Sequence, residues 1–232
     1  MARTQERFAY PFERDVIELD QRIETLMEEG ADSAQIDQLR SQREDMLREL
    51  TQNLTPYERV LLARHPQRPL ALDYINLAVT DFMELHGDRR YRDDHAIITG
   101  FGKVDGHKCM VIAQQKGRET KEKVRRNFGM PHAEGYRKAL LKMKLAEQFG
   151  LPVLCIIDTP GAACDQEAEE RGIAMAIAEN LFEMARLRTP LVLVNVGEAC
   201  SGGGACGRFC PLPYSWPAPA STTTGAAAWV SG

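Results

Sequence analysis

The sequence predicts a layered α/β fold with a helical hairpin at its N-terminal end, and three observations lead there. Leu151-Pro-Val-Leu-Cys-Ile-Ile-Asp158-Thr-Pro-Gly161-Ala162 and Leu191-Val-Leu-Val-Asn-Val-Gly197-Glu-Ala-Cys-Ser-Gly202-Gly203-Gly204 each run an apolar strand straight into a glycine turn. Short apolar runs bounded by turn residues read as strands buried on both faces, as parallel strands are. A helical stretch lies between them, and a helix crossing from one strand to the next makes the two parallel. Upstream, residues 13–29 and 33–52 place Val16, Leu19, Ile23 and Leu26, then Ile36, Leu39, Met46 and Leu50, at helical spacing amid many charges. That pattern fits an antiparallel pair of helices used for packing or assembly.

The other elements follow in order. Gly30 breaks the first helical pattern and Ser33 is a cap for the second. Thr55 and Pro56 read as the N-cap and first position of a third helix. Pro66 and Pro69 mark a linker, after which periodicity predicts a helix over 73–85. Residues 96–104 and 108–113 flank Asp105-Gly106, a hairpin signal because a type I′ turn needs φ > 0 at both central positions. A helix over 135–149 puts Ala139, Leu140, Met143 and Ala146 on its inner stripe and Arg137, Lys138, Lys142 and Glu147 outside. A long helix over 168–188 has Ile173, Ile177, Leu181 and Met184 inward. From Phe209 to Gly232 no residue is charged, and prolines fall at 211, 213, 217 and 219.

At 232 residues and 44% hydrophobic, the chain suits one sizeable core with an appended element rather than two full α/β domains. The net charge of −4 argues against a nucleic-acid binder overall. No cysteine occurs in the first hundred residues and the six present form no Cys-x-x-Cys pair, which is not a disulfide framework. The start lacks an apolar signal region and no stretch approaches the roughly 18 apolar residues of a membrane span. A soluble cytoplasmic protein with no membrane contact is the expectation.

Several motifs lose to blander readings. Gly202-x-Gly204-x-x-Gly207 follows a strand, but the acidic residue a dinucleotide fingerprint needs about 20 positions on is missing. Ser201 sits near a nucleophile elbow, yet all five histidines lie at or before His132, so a Ser, Asp, His order is impossible. Cys200, Cys206 and Cys210 lack the paired spacing of a zinc site and read as incidental thiols. Asp158 reads as a turn residue accepting backbone N–H groups. Glu169 and Glu170 open a helix and suit its positive end. Between 116 and 126, Lys116, Arg118, Lys121, Lys123, Arg125 and Arg126 outnumber two glutamates, which weighs phosphate binding evenly against a solvated helix face held by a Glu119–Lys123 pair.

Longer stretches carry a resemblance. Gln115 to Pro131, Glu134-Gly-Tyr-Arg-Lys-Ala139, Asp158-Thr-Pro-Gly-Ala162, Ala168-Glu-Glu-Arg-Gly172 and Arg64-His-Pro-Gln-Arg-Pro69 resemble the alpha subunits of bacterial acetyl-coenzyme A carboxylase carboxyltransferase, over roughly residues 10–204. The resemblance implies a crotonase-like fold: residues 1–56 as a helical assembly element, 57–208 as a carboxyltransferase domain incomplete at its C-terminus, and 209–232 as a disordered tail. It implies transfer of a carboxyl group from carboxybiotin, held on a separate carrier protein, to acetyl-CoA, giving malonyl-CoA for fatty acid synthesis. Implied partners are a beta subunit that bears zinc, biotin carboxyl carrier protein and biotin carboxylase, with two alpha and two beta subunits assembling. Main-chain N–H groups are the donors such chemistry needs, typically worth about 3 kcal/mol each. Carried over, Gly202 and Gly203 hold the biotin oxygen, the Gly161-Ala162 turn shapes the same wall, and Lys116, Arg118 and Arg125 meet coenzyme A phosphates.

Two departures qualify the likeness. After Asp-Thr-Pro-Gly the family has Ala-Tyr-Pro-Gly-Ile-Gly, whereas this chain has Ala162-Ala-Cys-Asp165-Gln-Glu167, losing two glycines and bringing carboxylates to a turn that should favour an oxyanion. Where the family has Gly-Glu-Gly-Gly-Ser-Gly-Gly-Ala, this chain has Gly197-Glu-Ala-Cys-Ser-Gly-Gly-Gly204, and the likeness ends soon after. A frame slip or truncation near 199–206 is expected from that change, with an impaired site as its consequence. The alternatives are therefore a fragment acting only as an assembly partner, or another crotonase-like acyl-CoA enzyme.

Overall fold

The computed structural model describes residues 8–200 and the two-residue strand Pro213–Tyr214. The N-terminal hairpin forms as the periodicity requires, with α1 (Arg14–Glu28) and α2 (Ser33–Asn53) antiparallel. Val16 and Ile23 are buried between them, and Arg43 pairs with Asp20 across the hairpin. Gly30, at φ 70°, turns the chain, and the cap of α2 is Asp32, one residue before the expected Ser33, its carboxylate accepting from the Ala34 N–H at 3.4 Å. In α3 (Pro56–Ala63), Thr55 and Glu58 close a capping box, each satisfying the other's backbone N–H.

The expected helix over 73–85 is instead two elements, α4 (Ala71–Ala78) and β1 (Thr80–Glu84). Val79 turns extended at φ −113° and ψ 118°, and β1 pairs antiparallel with β2 (Ile97–Val104). Sheet pairing overrides the helical spacing of Leu77 and Phe82, because an exposed five-residue run gains more from a neighbouring strand than from one further turn. The hairpin of β2 with β3 (His107–Gln114) is as expected, with Asp105 at φ 48° and Gly106 at φ 76°.

Beyond β3 come α5 (Thr120–Arg125), α6 (Ala133–Gln148), β4 (Val153–Thr159), α7 (Gln166–Glu170), α8 (Ile173–Met184), β5 (Leu191–Ala199) and β6 (Pro213–Tyr214). The single long helix expected over 168–188 is broken at Gly172, whose φ of 68° ends α7 and admits a change of direction before α8. The sheet runs β1-β2-β3-β4-β5-β6, antiparallel over its first three strands and parallel from β3 onward.

Alternation along the strands divides the core between two faces. Met110, Ile112, Val153, Cys155, Ile157 and Leu193 meet Ala139, Met143 and Ala146 of α6 and Met184 of α8. Cys109, Val111, Ala113, Ile156 and Val196 meet Ala71 and Ile75 of α4. Asn180 ties α8 to α6 by donating to the Tyr136 carbonyl at 2.9 Å.

Two lysines expected on the outer face of α6 are buried. Lys138 is 1% exposed and Lys142 8%. The loop between β1 and β2 lies across that face and supplies acceptors: the Asp93 carboxylate at 2.5 Å and Asp94 carbonyl at 2.7 Å for Lys138, and the Gly87 carbonyl at 3.1 Å for Lys142. Removing one member of a buried ion pair leaves the other charge uncompensated. Lys138→Ala is therefore expected to cost about 3–5 kcal/mol. Lys144→Ala, which removes an exposed pair with Glu183 at 3.1 Å, should cost less than about 1 kcal/mol. Urea unfolding at constant m-value distinguishes the two.

Candidate functional site

The C-terminal ends of β3, β4 and β5 converge on one buried carboxylate. In open α/β sheets this edge is where ligands sit, because chain leaving the strands forms a crevice there. Asp158, near the end of β4, is 0% exposed. Arg68 Nη2 donates to both its oxygens at 2.6 Å, Lys116 Nζ lies 3.1 Å from Oδ1, and the Glu198 N–H donates to Oδ1 at 3.2 Å. Glu198, on β5, accepts from Arg64 Nε at 2.6 Å and from Lys116 Nζ. Asp158 is thus the centre of a buried ionic network and not merely the turn acceptor its sequence context suggests.

Burial alone would raise the Glu198 carboxyl, but hydrogen bonds from Lys116 and Arg64 and their positive charge outweigh it and hold the group below its ordinary value. The same ion pair raises the Arg64 guanidinium.

In front of this network lies a cleft of about 290 Å³ whose walls include Arg64, Arg68, Lys116, Arg118 and Lys123 together with Phe128. Among the described residues no carboxylate lines it. Arg118 pairs with Asp73 on the side. Of the five lysines and arginines, Lys123 alone has no carboxylate partner among the described residues. The expected Glu119–Lys123 side-chain pair is replaced by Glu122 with Arg126 at 2.8 Å.

The floor of the cleft continues into a strained turn. Asn127, Phe128 and Gly129 have φ values of 45°, 54° and 80°, three left-handed residues in succession, and non-glycine residues there cost about 1–3 kcal/mol each. A Cβ at Gly129 would lie 2.6 Å from Lys116 Cγ, so glycine is required. The Gly129 carbonyl accepts from Thr159 Oγ1 at 2.6 Å, and the Pro131 carbonyl accepts from the Ala163 N–H at 2.9 Å. One segment therefore lines the cleft and supports the Gly161-Ala162 turn.

Of the residues chosen from sequence, Lys116 and Arg118 are brought together in the cleft. Lys116 faces the buried carboxylates as well as the cleft, and Arg125 is exposed on α5 outside the lining. The Gly161 N–H is already given to Thr159 Oγ1 at 3.1 Å, whereas that of Ala162 has no acceptor among the described residues. Gly202 and Gly203 lie outside the described residues, as does all of the 209–232 tail except Pro213–Tyr214. The carboxylates expected to trouble the turn are engaged: Asp165 caps α7 at the Ala168 N–H, 2.8 Å away, and meets His132 at 3.2 Å, while Glu167 lies 3.0 Å from Arg92. Arg64, Arg68 and Phe128 are not among the sequence-predicted site residues, and Lys123 enters only as one of the cations of the 116–126 cluster. The only sequence signal for the first two was the Arg64-His-Pro-Gln-Arg-Pro69 stretch.

Residues 9–210 match the family described as acetyl co-enzyme A carboxylase carboxyltransferase-like. The chain belongs to this family. It is 52% identical over 213 residues to the acetyl-coenzyme A carboxylase carboxyl transferase subunit alpha of Halorhodospira halophila, covering 88% of this chain and 67% of that protein. It is 52% identical over 197 residues to the alpha subunit of Geobacillus kaustophilus, covering 83% and 61%. Against the subunit of Syntrophotalea carbinolica the figures are 49% identity, 85% and 63%, so the chain spans a little under two thirds of the length of most of these relatives. Among solved structures, transcarboxylase 12S with hydrolysed methylmalonyl-coenzyme A bound superposes with a TM-score of 0.54 at 19% identity, covering 72% of this chain and 31% of that one. A single-chain, multi-domain long-chain acyl-CoA carboxylase gives 0.54 at 23%, covering 73% and 16%. These likenesses show the fold, crotonase-like as expected. Among the described residues no helix is long and apolar enough to cross a membrane.

A carboxylate held low in the folded state contributes stability above its unfolded value and loses it as pH falls through the folded one. Parent and Glu198→Gln are expected to differ by a constant amount above the ordinary glutamate value of 4.5. That difference should shrink as the solution is acidified below it. Denaturation midpoints of both proteins, followed against pH, check this.

Proposed function

We propose that this chain is an alpha-type carboxyltransferase subunit that moves a carboxyl group from carboxybiotin, on a separate carrier protein, to acetyl-CoA to form malonyl-CoA in the cytoplasm. The observation that carries the reading is the family match across residues 9–210. The position of the cleft at the C-terminal edge of parallel strands supports it.

In this reaction a carbon–nitrogen bond of carboxybiotin breaks, a carbon–carbon bond forms between the thioester methyl carbon and the transferred carboxyl group, and the proton lost from that methyl carbon ends on the biotin nitrogen that is released. Carboxybiotin supplies the activated carboxyl group. Negative charge gathers on the ureido and thioester oxygens, and donors aimed there in advance lower the barrier without reorganising. The Ala162 N–H is one donor with no acceptor among the described residues. Gly202 and Gly203 are assigned the biotin oxygen on family resemblance.

The cationic cleft suits the phosphates of coenzyme A. Lys123 reaches them first, since Lys116, Arg64 and Arg68 are committed to Asp158 and Glu198, and Arg118 follows by leaving its exposed pair with Asp73. Arg125, outside the lining, serves at most by its field. The beta subunit supplies its zinc and most of the acetyl-CoA side, biotin carboxylase loads the biotin carboxyl carrier protein, and two alpha and two beta subunits assemble through the N-terminal hairpin.

The test is reconstitution. The purified chain with a carboxyltransferase beta subunit is expected to form malonyl-CoA from acetyl-CoA and carboxylated carrier, and soluble, folded protein that binds beta without turnover would overturn the activity. Within an active assembly, Lys123→Ala is expected to raise KM for acetyl-CoA roughly tenfold, the value of one charge-assisted contact, with kcat unchanged because that contact is uniform between ground and transition states. Steady-state kinetics with acetyl-CoA varied checks it.

A further inference from the structure

We infer that Arg68 is a positioning residue. It locks the C-terminal ends of β4 and β5 into register and links them to the chain leaving α3. The inference deepens the carboxyltransferase reading and rests on it only for the name of the chemistry, because the register it describes is a property of the fold.

Arg68 is almost wholly committed. Its Nε donates to the Ala63 carbonyl at 2.5 Å, Nη1 to the Pro69 carbonyl at 2.9 Å and Nη2 to both Asp158 oxygens at 2.6 Å. Its side chain is 12% exposed. One planar group therefore joins the C-terminal end of α3, the linker and the end of β4. A lysine ammonium has no such fork and can serve these three directions only one at a time with comparable geometry.

Asp158 passes the constraint on. Its backbone N–H donates to Gln114 Oε1 at 2.9 Å at the end of β3, and its Oδ1 accepts from the Glu198 N–H on β5 at 3.2 Å. Two residues further, the Cys200 N–H donates to the Thr159 carbonyl at 3.3 Å. Among the described residues these two bonds tie the end of β5 to the end of β4, just before the chain turns through Gly161-Ala162. Rotation of the Asp158 carboxylate breaks the first directly and reaches the second only through the β5 backbone between Glu198 and Cys200.

Gly197 supplies an independent observation. A Cβ there would lie 2.3 Å from Asp158 Oδ1 and 2.5 Å from Arg68 Nη2, closer than real Cβ contacts come. The β5 backbone passes directly against the Arg68–Asp158 pair, and only glycine leaves that space. The pair is in this way a spacer between β4 and β5 as well as a bond to the linker.

The linker carries the constraint outward. Between Arg64 and Arg68, the Gln67 side chain accepts from the Phe8 N–H at 3.0 Å, and His65 Nε2 lies 3.2 Å from the Phe8 carbonyl and 3.8 Å from Glu13. The chain entering α1 thus rests on the same five-residue stretch that clamps the site. Docking of the N-terminal element and the spacing of the two strand ends are coupled through one short linker.

The test reads amide hydrogen exchange in the full chain, with or without a beta subunit, by NMR. Arg68→Ala is expected to speed exchange of the Glu198 and Cys200 amides about tenfold, the value of a charge-assisted bond, while Val111 and Ile156 in the core keep their protection. Added guanidinium at millimolar concentration should restore slow exchange, and Arg68→Lys should not. Gly197→Ala should give the same local signature with every charge intact. Equal loss of protection at Val111 and Ile156, parent-like exchange in Arg68→Lys, or a silent Gly197→Ala would each overturn the positioning role. Failure of carboxyl transfer with this exchange pattern intact would overturn the proposed activity and leave the positioning role standing.

Discussion

The interaction on which the rest of the site depends is the burial of Asp158. Taking a carboxylate out of water costs several kcal/mol after relaxation, and here the group is 0% exposed. That cost is offset by Arg68 and Lys116, which both reach it, and by the Glu198 backbone N–H. Glu198 adds a second buried carboxylate and Arg64 a third cation. With three cations against two carboxylates, the network keeps one net positive charge at the rear wall of the cleft. That excess, together with Arg118 and Lys123, gives the cleft its sign.

This arrangement explains why cations in the cleft divide into two kinds. Arg64, Arg68 and Lys116 are paired with carboxylates behind the wall, so their charges are fixed in place and partly neutralised. Lys123 stands without such a partner among the described residues. A rigid, half-neutralised wall holds shape, whereas an uncommitted lysine at the rim, a strongly hydrated point charge on a flexible stem, is suited to follow an anion. The two roles are chemically distinct even though the residues share one charge.

Where local chemistry decides conformation, the sequence was legible. Asp105-Gly106 encodes its turn through φ, and Thr55-Pro56-x-Glu58 encodes its helix start through reciprocal hydrogen bonds, so both are read from neighbours alone. Residues 79–84 defy their helical spacing because their state is decided by β2, some twenty positions away. Lys138 and Lys142 were placed outside by polarity, yet the β1–β2 loop brings acceptors over them. The site was legible in part for the same reason. Lys116 and Arg118 stand in one charged run. Arg68 meets Asp158 across 90 positions, and no pattern within a window can show that pairing. The resemblance flagged the stretch containing Arg68 without saying what it touches.

The strained turn at 127–129 ties the cleft and the Gly161-Ala162 turn into one body. Two non-glycine residues with positive φ persist only where surrounding structure over-determines them. Here the Asn127 side chain donates to the Met130 carbonyl at 3.0 Å, the Gly129 carbonyl accepts from Thr159, and Pro131 accepts from Ala163. Relaxing the turn to ordinary φ values would withdraw Phe128 from the cleft and remove the acceptors that shape residues 159–163. The strain is therefore held by the same hydrogen bonds that set the Ala162 amide in place. A ligand pressing on Phe128 would act on that amide through a segment with little room to yield.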